Sequence, residues 1–262
     1  MSLKCGEEVA YGVRIDVALV PQEIEGKNLE HVTAIVIDVL RASTCIANAI
    51  ANGCDGVIPT VSVEEAMDIS RAYARDDYLL CGERKNEKID GFDLGNSPLE
   101  YISDRVQGKK LIMTTTNGTR AIRTAKTAPC VIIGGFWNIS ACCKPALALD
   151  RDILIVCAGQ NGRFAMEDAI CAGGFADKLS SLTDARVEET DGCLTARLLY
   201  NTFRERLEEA LFQSAHGRNL INTGFGEDVK AAAVTDCVEV VPVFHEGHIV
   251  PMDISGSAKV HA

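Results

Sequence analysis

Short β-branched, apolar runs alternate with helical patterns along almost the whole 262-residue chain. That alternation restricts the fold more than any other feature, because successive strand–helix–strand units pack as a parallel sheet covered on both faces. Val13–Val20 and Thr33–Asp38 are predicted strands, the second nearly all apolar and therefore central in the sheet. A helix is predicted over Ser43–Ala51 and a strand over Gly56–Val61. Ser62-Val-Glu-Glu65 is a capping box that opens a helix running to about Arg75. Further strands are expected at Tyr78–Cys81, Lys110–Thr115, Val131–Gly134 and Ile153–Cys157, with a helix starting at Gly118. One long amphipathic helix, Leu194–Gln213, would carry an Arg204/Glu208 pair at i,i+4. A late strand, Cys237–Phe244, contains Pro242 and is therefore placed at a sheet edge.

The expected fold class is α/β, a layered α/β/α arrangement with a mainly parallel sheet that is mixed at an edge. The length suits one large unit spanning 1–262, with two subdomains dividing near residue 150 as the alternative. One irregular stretch, Gly82–Pro98 (GERKNEKIDGFDLGNSP), is long and polar for a loop inside a compact domain, which marks it as a binding loop.

Charge narrows the partners. Twenty-six Lys and Arg stand against 37 Asp and Glu, a net charge of −11. Nucleic acid and anionic membranes both need a basic surface, so neither is an expected partner. The eleven cysteines are an odd number, run from Cys5 to Cys237, and include no C-x-x-C pair. Zinc-ribbon and thioredoxin readings fail on that spacing. Met1–Lys4 opens no apolar leader, so reduced thiols point to the cytoplasm. A homodimer is the base-rate expectation for such a chain.

Chemistry concentrates at three strand-to-helix junctions, where free helix N–H groups favour anions. They are Asp38-Val-Leu-Arg-Ala-Ser-Thr44, Thr114-Thr-Thr-Asn-Gly-Thr-Arg120 and Cys157-Ala-Gly-Gln-Asn-Gly-Arg163. Hydroxyls and Asn before a helix commonly serve only as caps. Each junction, however, adds an arginine that a cap does not need. Arg41, Arg120 and Arg163, with Arg84 from the polar loop, suit phosphate, sulfonate and carboxylate oxygens. The predicted ligand is therefore a small polyanion held by a local basic cluster.

Carboxylates beside such donors suggest Mg²⁺. Asp38 is the leading ligand candidate because it ends a buried strand, followed by Glu83, Glu167 and Asp168. Glu167 and Asp168 are adjacent on a helix and diverge by about 100°, so they do not face one ion together. His245-Glu-Gly-His248 lacks the further ligands a transition metal needs. A haloacid-dehalogenase-type phosphatase is disfavoured because Leu40 stands where a second aspartate is required. Cys157 and Arg163 have the Cys-x5-Arg spacing of cysteine phosphatases, but Val156 replaces the usual preceding histidine. A metal-free cysteine phosphatase and a non-catalytic polyanion-binding protein remain as alternatives.

Four motifs in order, VIDVLRAST (Val36–Thr44), CGERKNEKIDGFDLGNSP (Cys81–Pro98), TTTNGTRA (Thr114–Ala121) and VCAGQNGRFAMEDAICAG (Val156–Gly173), together with GFGEDV (Gly224–Val229), spread over most of the chain. In these the sequence resembles the 2-phosphosulfolactate phosphatase family of coenzyme M biosynthesis. The resemblance implies an α/β fold particular to that family and a Mg²⁺-dependent phosphohydrolase acting on an acid with phosphate, carboxylate and sulfonate groups. Such a substrate carries about four negative charges. On this reading Asp38 and Glu167 are the first-choice Mg²⁺ ligands, with Glu83 and Asp168 next. Ser43, Thr44, Asn117, Gly118, Thr119 and Arg120 would cradle one anionic group, with Gly159 in the same binding set. Arg41, Arg84 and Arg163 would neutralise the others. Water is the preferred attacking group over Asp38 itself.

Overall fold

The computed structural model describes residues 12–253. Cys5 and the Met1–Lys4 segment lie outside the described residues.

One mostly parallel sheet organises the chain. Its strands in chain order are β1 (Val13–Ala18), β2 (Val32–Ile37), β3 (Gly56–Thr60), β4 (Tyr78–Arg84), β5 (Glu87–Lys88), β6 (Lys110–Thr114), β7 (Cys130–Gly134), β8 (Asp152–Cys157), β9 (Val187–Glu189), β10 (Pro242–His245) and β11 (His248–Pro251). The helices are α1 (Ala42–Ala51), α2 (Val63–Ser70), α3 (Ser103–Val106), α4 (Gly118–Ala125), α5 (Ile139–Ala148), α6 (Met166–Leu182), α7 (Asp191–Phe203), α8 (Leu207–Gln213), α9 (Ala215–Asn222) and α10 (Gly226–Ala232). The strand order is β5-β4-β6-β3-β11-β10-β7-β2-β8-β1-β9. The α/β class and the central place of β2 agree with the sequence reading; β2 is parallel to both β7 and β8.

The late strand does not lie at an edge. β10 pairs antiparallel with β7 and with β11, and β11 pairs antiparallel with β3, so the hairpin joins two parallel blocks in mid-sheet. Pro242 is tolerated there because it is the first residue of its strand. The long helix expected over Leu194–Gln213 is two helices. α7 fully buries only Cys193 and Ala196, whereas α8 turns Leu207, Ala210 and Leu211 into the core. The chain leaves the helix at residues 204–206, where Arg206 adopts φ −148° and ψ 48° as it opens α8. The break also separates Arg204 from Glu208, and Arg204 pairs with Glu205 at 3.6 Å instead. The capping box forms in altered shape: Ser62 Oγ accepts from Glu65 N–H at 3.1 Å, while Glu65 takes the N–H of Val61 at 2.7 Å. The helix it opens stops at Ser70.

Packing explains how distant strand ends meet. Apolar side chains of β2, β3, β4, β6, β7 and β8 share a single core with α1 and α4. α4, which follows β6, crosses back to pack on β3, β7, β2 and β8, and so the turn after β6 reaches the same cavity as the turns after β2 and β8. The opposite face packs on α5, α6, α7 and α8 through Phe136, Ile170, Phe175 and Leu211. Among the described residues, no helix is long and apolar enough to cross a membrane.

Candidate active site

A cavity of about 450 Å³ opens at the carboxyl ends of the strands, as expected for an open α/β sheet. It is lined from all three junctions: Asp38, Leu40 and Arg41 after β2, Thr115, Thr116 and Asn117 after β6, and Gln160 and Asn161 after β8. The polar loop adds Glu83, Arg84, Lys85, Asn86 and Asn96. Much of that loop is a tight hairpin between β4 and β5, turned by Lys85 and Asn86 at positive φ.

Asp38 ends β2 and is 6% exposed. One carboxylate oxygen accepts the Ala42 N–H at 3.2 Å. The backbone of Gly118 closes over the other: a Cβ there would stand 2.6 Å from Asp38 Oδ2 and 2.5 Å from the Ala42 Cβ. Glycine is required by this close approach. Gly118→Ala is expected to push Asp38 aside, lowering kcat at least tenfold with a stability loss of roughly 1–3 kcal/mol. Activity assays beside urea denaturation measure both, and an unchanged kcat would refute it.

Four buried carboxylates converge on this region, but they are differently engaged. Glu83 receives the Thr116 N–H and Oγ–H at 2.9 and 2.8 Å and the Asn86 N–H at 3.1 Å. Asp168 receives the Val39 and Gly159 N–H groups at 2.9 and 3.0 Å, and thereby clamps the turns after β2 and β8. Glu167 has His216 Nδ1 at 3.5 Å. Burial raises the Asp38 pKa to about 6; His216 pulls it down, while Glu83 and Glu167 push it up. Burial, with Asp38 and Glu167 nearby, also raises the Asp168 pKa well above the usual carboxylate range.

The donor set tests whether Mg²⁺ suits the site. Among the described residues, no three His, Cys, Asp or Glu side chains come together as a ready-made metal cage. Mg²⁺ commonly takes one or two carboxylates and completes its shell with water and substrate oxygens. Asp38 with an uncommitted oxygen and the neighbouring Glu167 fit that requirement. Glu83 and Asp168 already accept two or three hydrogen bonds each, which suits them to fastening loops.

The basic cluster is smaller than the sequence suggests. Arg41 is buried, paired with Asp228 at 2.6 Å, bonded to the Asn86 carbonyl at 2.9 Å and stacked 4.4 Å from the Phe225 ring. Arg84 lines the cavity and donates to the Glu83 carbonyl and Thr114 Oγ1 at 2.7 and 3.0 Å. Arg120 and Arg163 are exposed and do not line the cavity. Ser43, Thr44 and Thr119 are buried, and their hydroxyls bond the Asp38, Val39 and Thr115 carbonyls at 2.8, 2.8 and 3.1 Å. They hold the turns in shape. Asn117 lines the cavity and accepts the Asn161 N–H at 3.0 Å, joining two junctions. Gly159 adopts φ +65° and donates to Asp168, placing Gln160 and Asn161 at the cavity wall.

The sequence reading missed the opposite wall. His216, Asn219 and Thr223 come from α9 and the residue after it, at i, i+3 and i+7, the spacing of one helix face. Ser214 caps this helix through the Gly217 N–H at 2.9 Å. A capping serine before an Ala-His-Gly segment was the available signal. Asp228, inside GFGEDV, was quoted only as part of a motif; its two oxygens hold Arg41 and Ser97 at 2.6 Å each.

Cys157 is fully buried in the core beneath α6. Burial, reinforced by Asp168, Glu23 and Glu167, drives its pKa well above the usual thiol value, so a thiolate is disfavoured. The Arg163 side chain is exposed. Cys157→Ser is expected to keep kcat within about threefold, whereas a cysteine nucleophile would lose essentially all activity. His245 and His248 are exposed partners across the β10–β11 turn.

Comparison with known proteins places the chain in a family. The family model described as 2-phosphosulpholactate phosphatase matches residues 18–247. A protein of Caldanaerobacter subterraneus subsp. tengcongensis is 41% identical over 224 residues, covering 86% of this chain and 92% of its own. One from Symbiobacterium thermophilum is 42% identical over 220 residues, covering 84% and 94%. A third, from Clostridium novyi, is 39% identical over 233 residues, covering 89% and 97%. Each of the three is named a probable 2-phosphosulfolactate phosphatase. With a match over most of its length and relatives of this identity, the chain belongs to the 2-phosphosulpholactate phosphatase family.

Proposed function

We propose that this chain hydrolyses the phosphate ester of 2-phosphosulfolactate, or of a related 2-phospho acid, to phosphate and the 2-hydroxy acid, with Mg²⁺ as cofactor. One observation carries the reading: in a chain of this family, buried Asp38 lines a cavity with anion donors, and buried Glu167 lies behind that wall, 3.5 Å from the cavity-lining His216. A polyanion would be repelled by those carboxylates alone, so a cation between them reconciles the site with its substrate. Asp38 and Glu167 would hold it. Mg²⁺ bound there supplies positive charge for the phosphoryl oxygens and lowers the pKa of water.

The remaining roles fall to the chain's own groups. Arg84, Lys85 and the Asn117 carboxamide orient the anionic arms of the substrate, as the charge-assisted donors of the wall. Glu83 and Asp168 fasten the turns that carry these groups. The α9 face forms a further part of the cavity wall, with His216 near enough to Asp38 to lower its pKa, and limits the water that reaches the ester. Water attacks phosphorus, because phosphoryl transfer asks mainly for positioning and charge stabilisation from the protein. In this reading Arg120 and Arg163 steer the polyanion from outside the cavity, against a background of −11. The reaction is the phosphate-removing step on a sulfonated acid, as in coenzyme M biosynthesis.

The test is phosphate release from 2-phosphosulfolactate and other 2-phospho acids. Release is expected with Mg²⁺, falling at least a hundredfold in EDTA and returning on Mg²⁺ addition. Release undiminished by EDTA would remove the metal from the reading. No release from any 2-phospho acid would leave a polyanion-binding protein, detectable by ligand-dependent thermal stabilisation without turnover.

A further inference from the structure

Asn96 stands in the wall between two cavities. It lines the 450 Å³ cavity and also a second one of about 340 Å³ bounded by Asn86, Lys88, Glu100, Arg105 and Phe225. The residue is 6% exposed, and its Oδ1 is buried without a hydrogen-bond partner. Everything around it is fastened. Gly95 N–H donates to Glu100 at 3.0 Å, and Tyr101 Oη–H donates to the Gly95 carbonyl at 2.7 Å. The Asn96 carbonyl accepts from Cys45 Sγ at 3.3 Å, and Ser97 Oγ–H donates to Asp228 at 2.6 Å.

A buried acceptor without a donor is costly, and of the four described residues with such an unpartnered buried atom (Thr33, Asn96, Ser180 and Arg197) Asn96 alone lines these cavities, where a ligand can complete it. The terminal torsion of an Asn side chain is broad, so Oδ1 can swing towards the catalytic cavity while the backbone stays fixed. A fully ionised 2-phospho acid offers only acceptors on its phosphate, carboxylate and sulfonate groups. The alcohol left after hydrolysis offers a donor. We propose that Asn96 is a product-binding residue whose Oδ1 accepts a hydrogen bond from the 2-hydroxyl of the released hydroxy acid. This inference rests on the phosphatase reading of the same site. It predicts that the site distinguishes a 2-hydroxy acid from the same acid lacking the hydroxyl, because loss of the ligand donor leaves Asn96 unpaired.

The experiment crosses removal of the ligand hydroxyl with removal of the carboxamide. Calorimetric titration measures 3-sulfolactate and 3-sulfopropanoate, which lacks the 2-hydroxyl, binding to wild type, Asn96→Leu and Asn96→Ala. Wild type is expected to bind the hydroxy acid roughly tenfold tighter. Both variants should bind the two acids within about twofold of each other, with 3-sulfopropanoate affinity unchanged from wild type. A merely structural role would weaken both acids equally, and that outcome overturns the proposal. So does a hydroxyl preference that survives in a variant that retains the wild-type circular dichroism spectrum, or failure of wild type to bind 3-sulfolactate. Phosphate release by wild type is measured in parallel. Its absence would overturn the phosphatase reading, while a hydroxyl preference lost in the variants would still place the hydroxyl contact at Asn96.

Discussion

Asp38→Asn is expected to lower phosphate release by a factor of about a thousand or more while making the protein more stable at neutral pH. The activity loss follows from removing the one charged group that ends β2 inside the cavity. The stability gain follows from the cost of that charge. The Asp38 pKa is raised from 3.8 to about 6, chiefly by burial. A group whose folded pKa lies above its unfolded value favours the fold fully below the unfolded pKa, and loses that contribution as pH rises through the folded one. In metal-free protein, stability at this position therefore falls between about pH 4 and pH 6, by roughly 3 kcal/mol in total. Asparagine retains an acceptor for the Ala42 N–H but carries no charge to bury. Thermal unfolding in EDTA at pH 4 and pH 7 should show a variant several degrees more stable than wild type only at pH 7. A variant that hydrolyses substrate at the wild-type rate would remove Asp38 from the chemistry. One less stable at pH 7 would refute the burial argument.

Asp228→Ala is expected to be among the most destabilising single changes in the protein, by roughly 3–5 kcal/mol. It strands the Arg41 guanidinium, whose side chain is 2% exposed, and deprives Ser97 of its acceptor. The partners of Arg41 come from two separate parts of the chain, the polar loop at Asn86 and the start of α10, which supplies both Asp228 and the Phe225 ring. Losing the ion pair therefore loosens the cavity wall as well as the core, and kcat should fall with stability. Replacing both partners, Arg41→Met with Asp228→Leu, should recover most of the stability, because no charge is then left buried alone. Urea denaturation of the two variants decides this. A double variant as unstable as Asp228→Ala would show that the ion pair contributes beyond its own desolvation. Activity should stay low in the double variant, since Arg41 also lines the cavity.

The elements most legible in the sequence were those whose pattern depends on local forces. β2 was visible because a strand covered on both faces is built almost wholly of apolar residues, as it is here apart from Thr33. The start of α2 was visible because Ser62 and Glu65 satisfy helix donors within a few residues. The α7–α8 break was not visible, since the apolar spacing runs on through Arg204 and no Gly or Pro marks the turn at residues 204–206. The central position of β10 and β11 was hidden for a similar reason. Which gap in a sheet a hairpin fills depends on strands more than a hundred residues away.

The candidate site divides along the same line. The sequence alone singled out Asp38, Asn117 and the Gly82–Pro98 loop, because carboxylates, amides and glycines at strand ends are costly or idle in a purely structural role, and all three contribute to the cavity wall. It also marked the family through its ordered motifs, as the match over residues 18–247 bears out. The tertiary structure alone decided which arginines reach the cavity: Arg41 and Arg84 line it, while Arg120 and Arg163 remain outside. It turned the Ser43, Thr44 and Thr119 hydroxyls towards backbone carbonyls, and it brought His216, Asn219 and Thr223 across from a helix about 180 residues beyond Asp38. The physical reason is that residue type is a local property, whereas the direction of a side chain is fixed by packing between distant segments, as where α1 and α4 share one core with six strands.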